Sequence, residues 1–129
     1  MTHKIIIIAR LPEKVAATEK AIIDHIGIGH MMFGTTKTAD ALLEIEKNTD
    51  HPSILILGNI LGDSISSEEL IDKALAANPD LKIVMVSSMD PGPESKHHHF
   101  IATHNAWDYG GTPFITTMKR IIKNNAFAR

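Results

Sequence analysis

The sequence predicts an α/β fold in which a five-stranded parallel sheet is doubly wound, with helices on both of its faces. Two observations lead to this prediction. Unbroken apolar runs, such as residues 5–8, recur along the chain, which is typical of strands that are buried on both faces. Segments with apolar residues at helical spacing alternate with these runs, and the connections are short. This alternation indicates right-handed βαβ units in one sheet.

Length and composition indicate one domain that spans residues 1–129. A chain of this length can bury one core but hardly two. Apolar residues make up 43% and charged residues 22%, which is ordinary globular usage. The net charge is −2, with acids and bases spread along the chain, so we expect a protein partner and no nucleic acid. The chain has no cysteine, which excludes disulfides and thiolate metal sites.

The sequence shows no sign of a membrane span or a secretion signal. The longest apolar run, residues 5–9, is far too short to cross a bilayer. No apolar signal region with a cleavage site follows Met1. Cytoplasmic residence is therefore the default expectation.

The first part of the chain predicts two strand–helix pairs. Residues 5–8 form the first strand, and the apolar spacing after it predicts a helix that begins near Pro12 and ends at Gly27. The short apolar run 30–33 predicts the second strand. Thr38 is expected to cap the helix that follows.

The middle of the chain predicts a third strand, a helix and a fourth strand. Residues 54–57 form an unbroken apolar run that ends at Gly58, as in a central strand. Ser66 and Glu69 fit a capping box ahead of the next helix. Residues 83–86 predict the fourth strand.

The last part of the chain predicts a helix over residues 97–105, a short fifth strand at 107–109, and a final helix that Pro113 opens. Three basic residues are expected on the outward face of the final helix: Lys119, Arg120 and Lys123. For such a sheet we expect the flavodoxin-like strand order 2-1-3-4-5.

Three segments resemble, in order, the receiver domain of two-component response regulators. Residues 52–57 look like its third strand, and residues 78–87 like its approach to the fourth. Residues 108–114 resemble its ending, in which a lysine usually precedes the proline. The resemblance covers roughly residues 4–123, and it implies a receiver-like fold and a role in signal transduction.

The residues that a receiver uses for phosphorylation do not carry over. Its acidic pair after the first strand, which binds a metal ion, corresponds here to Ala9 and Arg10. Its phosphoacceptor aspartate corresponds to Gly58, and its phosphate-contacting lysine to Thr112. Without a carboxylate at Gly58, no acyl phosphate can form there. The chain therefore resembles a pseudo-receiver, for which we expect no enzymatic activity, no metal and no cofactor.

Two other positions of this chain do match the family's pattern. Ser87 and Tyr109 correspond to the pair of residues that switches a receiver between two states. The resemblance also implies a partner face built from the fourth helix, the fifth strand and the fifth helix. In this chain that face comprises His98, Phe100, Tyr109, Lys119 and Lys123. The leading prediction is a phosphorylation-independent module that binds a signalling protein of unknown identity.

Two alternatives concern the pocket that corresponds to the receiver's phosphorylation site, with residues Ala9, Arg10, Gly58, Ser87 and Thr112. Asp63 or Asp90 could substitute as the phosphoacceptor, which would make the chain an atypical receiver that is still phosphorylated. Arg10 could instead bind an anion at the carboxyl ends of the strands, which would make it a small-ligand sensor. A salt bridge from Arg10 to Glu13, Asp63 or Asp90 is the preferred interpretation of that arginine.

A third alternative is a metal site in the histidine-rich segment 97–104. A solvent-facing loop end is preferred, because consecutive histidines point in different directions on a helix. The sequence leaves open the partner, the oligomeric state and whether the chain is part of a longer regulator.

Overall fold

The computed structural model describes residues 3–27, 29–47, 52–58, 66–87, 99–102 and 112–125. Within these ranges the strands are β1 (Lys4–Ile8), β2 (Met31–Thr35), β3 (Ser53–Gly58), β4 (Lys82–Ser87) and β5 (His99–Ala102). The helices are α1 (Pro12–His25), α2 (Thr38–Glu46), α3 (Ser67–Ala77) and α4 (Thr112–Asn125). The strands form one parallel sheet in the order β2-β1-β3-β4-β5.

The order of the first four strands confirms the flavodoxin-like prediction. The strand beside β4 differs, because β5 lies within residues 97–105, where the sequence predicts a helix. Phe100 and Ile101 are residues that favour strands, and pairing with the open side of β4 satisfies the backbone groups of β5 that face β4. The strand predicted at residues 107–109 lies outside the described residues.

Helices cover both faces of the sheet, and alternate residues of β1, β3 and β4 contact opposite layers. One face packs against α1 and α4, and its core includes Ile5, Ile7, Ile54, Ile56, Val84, Ile22, Ile115 and Met118. The other packs against α2 and α3, and its core includes Ile6, Ile8, Leu55, Leu57, Ile83, Ala41, Leu70 and Ala74. Residues 5–8, 54–57 and 83–85 are buried on both faces, which is why these strands are continuous apolar runs with no polar alternation.

The described helices are short. The longest of them, α1 and α4, have 14 residues each, and neither has the length and hydropathy needed to cross a membrane.

The helix starts confirm the Ser66 cap of the predicted capping box and contradict the predicted cap at Thr38. Ser66 precedes α3, and its hydroxyl accepts a hydrogen bond from the backbone N–H of Glu69 at 3.1 Å. Such a cap contributes about 1 kcal/mol. The prediction for Thr38 was wrong: Lys37 is the N-cap of α2 and makes no side-chain cap bond. Thr38 is the first helical residue and is buried, so packing against the sheet determines where α2 begins.

A charged cluster joins β1 to α2 at the amino edge of the sheet. The Lys4 side chain is 6% exposed, and its Nζ lies 3.0 Å from Oε2 of Glu44. The same Nζ donates to the backbone oxygen of Glu44 at 2.6 Å. Lys47 Nζ lies 2.7 Å from the other carboxylate oxygen. The hydrogen bonds from Lys47 and then Lys4 hold the pKa of Glu44 below its usual value.

Candidate functional site

The carboxyl ends of β1, β3 and β4 form the edge where the sequence predicts a degenerate phosphorylation pocket. Ile8 pairs with Leu57, and Gly58 pairs with Val86. One residue after Ile8, Ala9 is therefore level with Gly58 on the neighbouring strand. These two strands flank the point where the strand order reverses, which is where open α/β sheets bind ligands.

The floor of this edge is uncharged. Ala9 is 1% exposed and belongs to the core layer under α1 and α4. Its backbone N–H donates to the oxygen of Thr35 at 3.4 Å, which continues the pairing with β2. Gly58 is buried as the last residue of β3. A methyl group and a bare backbone offer neither a carboxylate ligand for a divalent cation nor a side-chain nucleophile.

Arg10 lies at the rim of this edge and is exposed. In the described part of the chain, Arg10 forms no ion pair with Glu13, so the prediction of a salt bridge between these two residues was wrong. Both residues are exposed, and water competes for exposed ion pairs. The other two expected partners, Asp63 and Asp90, lie outside the described residues. The positive charge of Arg10 opposes the binding of a divalent cation at this edge.

For the remaining residues of the predicted pocket, the structure gives the position of the backbone. Ser87 is the last residue of β4, and Thr112 is the first residue of α4. Tyr109, the second member of the switch-like pair, lies outside the described residues. The pairing of Ser87 with Tyr109 stays a prediction.

The predicted partner face is described at α4 and β5. Lys119 and Lys123 are exposed one helical turn apart, while Met118 and Ile121 point into the core. The sequence of α4 contains no acidic residue, so this side of the helix is basic. Phe100 lies in β5, whereas His98 and Tyr109 lie outside the described residues.

Arg120 belongs beside these lysines, although the predicted partner face omits it. It is exposed and adjoins Lys119 on the outward side of α4. The signal was present in the sequence, because Arg120 lies three residues before Lys123 and residues at that spacing are neighbours on a helix surface.

The described residues contain no group of three or more histidine, aspartate or glutamate side chains that could hold a metal ion. Most of the histidine-rich segment 97–104 lies outside them, so its metal alternative stays a prediction.

Solved structures of receiver domains match nearly the whole chain. A CheY-like response regulator receiver domain protein from Methanospirillum hungatei JF-1 is 16% identical, with a TM-score of 0.68. The match covers 98% of this chain and 96% of that one. This chain has the receiver-domain fold.

Two further solved structures also match nearly the whole chain. The two component transcriptional regulator AraC from Clostridium phytofermentans ISDg is 13% identical with a TM-score of 0.68, over 95% of this chain and 97% of that one. The receiver domain from the hybrid histidine kinase CckA is 17% identical with a TM-score of 0.61, over 93% and 96%. No protein-family model and no curated protein matches the chain. At these identities the likeness establishes the fold, and the activity must be argued from the site.

Proposed function

We propose that the protein is a pseudo-receiver, a signal-transduction domain that binds a protein partner without being phosphorylated. One observation carries this proposal: at the carboxyl edge of a receiver-like sheet, the neighbouring residues Ala9 and Gly58 carry no carboxylate. The receiver fold supports the signalling role, and the chemistry of this edge supports independence from phosphorylation.

Phosphoryl transfer to a side chain needs a nucleophile and a bound cation that neutralises the developing charge. Gly58 supplies no nucleophile. Ala9 supplies no side-chain ligand, and Arg10 adds a positive charge where a divalent cation would have to bind. Because the nucleophile and the metal site are missing together, restoring one of them leaves the reaction without the other.

The basic side of α4 is the surface that we assign to the partner. Lys119, Arg120 and Lys123 are exposed on it, and their charges favour a partner that presents acidic residues. Charges at the rim of an interface mainly steer association and select partners by complementarity. The partner that we propose is therefore a signalling protein with an acidic docking surface.

A second candidate function is an anion sensor at the carboxyl edge. The observation that favours it is Arg10, which is exposed beside the point where the strand order reverses and forms no ion pair with Glu13 among the described residues. A bound anion would stabilise the folded state, so thermal unfolding in the presence of phosphate or carboxylate metabolites tests this candidate.

We expect no phosphoryl group to be added when the folded protein is incubated with acetyl phosphate and Mg²⁺. Intact-mass spectrometry is the measurement, with a phosphorylatable receiver domain as the positive control. The Gly58→Asp variant should also stay unmodified, because Ala9 and Arg10 still provide no carboxylate to bind the metal ion. An adduct that disappears in Asp63→Asn or Asp90→Asn would reveal an atypical receiver and overturn the proposal.

Reversing charges on α4 should weaken partner binding. In the Lys119→Glu/Lys123→Glu variant, capture of the acidic partner from cell extract should fall about tenfold or more, because like charges then face each other. The matched control is Lys20→Glu/Lys73→Glu, which reverses two exposed lysines on α1 and α3. Equal capture by the two variants would exclude the basic side of α4 as the binding surface.

A further inference from the structure

β2 is the outer strand at one edge of the described sheet. Met31 N donates to the oxygen of His3, and Thr35 accepts from Ala9, so the odd-numbered residues of β2 face β1. Backbone groups of successive residues in a parallel strand point to opposite sides. The N–H and C=O groups of Met32 and Gly34 therefore point away from β1, toward the open side of the sheet.

Within β2 itself, this edge carries none of the usual features that prevent pairing with another strand. Edge strands are commonly protected by charged residues, proline or a bulge. The β2 sequence, MMFGT, contains no charge and no proline, and its five residues pair in unbroken register with β1. The open side of β2 is thus a regular strand edge that another extended strand can extend.

Exposed apolar side chains flank the same edge. Met31 on β2 and Ile23 on α1 are each 41% exposed. Glu19 Oε2 lies 3.1 Å from the position that a Cβ on Gly34 would take, so this face of α1 lies over β2. Ile23 follows Glu19 by one helical turn and shares that face. Apolar surface therefore borders the open edge on both the strand and its covering helix.

We propose that β2 pairs with β2 of a second copy of this chain, antiparallel and centred on Phe33. In that register Met32 lies opposite Gly34 of the second copy. These are the residues whose backbone groups face the open side, so each pair can exchange both of its hydrogen bonds. The two sheets become one continuous sheet across a twofold axis.

The charges at this edge favour a second copy over a strongly charged partner. β2 is uncharged, so two copies meet without repulsion along the strand. The neighbouring part of α1 alternates in sign through Glu19, Lys20 and Asp24, so an antiparallel copy of α1 presents both signs. This self-association involves a surface other than the basic side of α4 and does not depend on the proposed function.

The association should be weak. A pair of short strands with two flanking side chains buries less than the ~1,200 Å² of standard interfaces, and interfaces below that size are typical of transient encounters. We expect a dissociation constant on the order of 10–100 μM. Sedimentation velocity from about 5 μM to about 1 mM, a range that brackets this value, should show a monomer–dimer equilibrium.

Charged substitutions test the surface. Met31→Lys and Ile23→Lys should each weaken dimerisation at least tenfold, because a solvated ammonium would be buried at the edge. Leu43→Lys is the matched control: Leu43 is 59% exposed on the outer side of α2, opposite the buried Ala41 and Ile45. It should leave the dimerisation constant unchanged. Circular dichroism verifies that each variant is folded.

Amide hydrogen exchange by NMR gives a readout at the proposed bonds. The Met32 and Gly34 amides should exchange more slowly as protein concentration rises. A monomer over the whole concentration range overturns the proposal, as does a dimer in which these two amides are unaffected. Protection that appears only with a copurifying protein identifies another occupant and also overturns the assignment to a second copy.

Discussion

The Gly34→Ala variant is expected to be less stable than the parent protein by about 2 kcal/mol, within the range of about 1–3 kcal/mol for overpacking a filled core. Gly34 lies in β2, directly under α1. A Cβ at this position would overlap Cγ1 of Val15 and crowd the Glu19 carboxylate. Because Val15 is 8% exposed and held in the core, α1 must shift away from the sheet to make room. Urea unfolding, monitored by circular dichroism, measures the loss of stability.

Two controls separate this clash from a general effect of removing a glycine. Gly29 has no neighbouring atom within 4 Å of its Cβ position, so Gly29→Ala should be neutral or slightly stabilising. The Val15→Ala substitution removes the overlapping atom, so the double variant Gly34→Ala/Val15→Ala should be more stable than the sum of the single effects implies. Additive effects would mean that Val15 does not limit the space at Gly34.

Glu44→Ala is expected to cost about 2 kcal/mol at neutral pH. It leaves the buried ammonium of Lys4 without its carboxylate, and breaking a buried ion pair on one side commonly costs about 3–5 kcal/mol. The expected loss is smaller here because Lys4 keeps its hydrogen bond to the backbone oxygen of residue 44. The free energy of unfolding in urea is the measurement.

Lys47→Ala is the matched control, because it removes the other cation from the same carboxylate. The Lys47 side chain is 66% exposed, so its loss should cost about 0.5 kcal/mol or less. Replacing both buried groups, as in Lys4→Met/Glu44→Leu, should recover most of the stability that Glu44→Ala loses. Equal losses for Glu44→Ala and Lys47→Ala would contradict a buried pair between Lys4 and Glu44.

The contribution of Glu44 should depend on pH in a defined direction. Its pKa in the folded protein is lowered by the hydrogen bonds from Lys47 and Lys4, relative to an ordinary value of 4.5. The stabilisation is therefore complete above the ordinary value and is lost as the pH falls through the lower folded-state pKa. The difference between the parent protein and Glu44→Ala should be largest near pH 7 and should shrink toward pH 3.

Local sequence patterns were sufficient to predict the layered architecture. The isoleucine run of β1 is fully buried, and the runs of β3 and β4 lie beside it in the expected order. A strand covered on both faces must be apolar at successive positions, so such a run indicates a parallel sheet before any contact is known. The cap at Ser66 was predictable for the same reason, because its acceptor and donor are three residues apart.

The candidate site was predictable in its composition but not in its surroundings. The sequence places Ala9 and Gly58, which carry no carboxylate, at the ends of the first and third strands, and the structure has them there. The lack of an ion pair between Arg10 and Glu13 could not be predicted, because it depends on how water and neighbouring charges compete at an exposed rim.

Three features that the sequence did not predict involve residues that are distant in sequence. The strand at His99–Ala102 forms against β4 where local spacing favours a helix. The close approach of α1 at Gly34 and the burial of Lys4 against Glu44 likewise depend on contacts between separate elements. Hydrophobic periodicity records whether a position is buried, so it is sufficient to predict the layers. Which groups meet, and which strand edge stays open, depends on three-dimensional packing that no local pattern encodes.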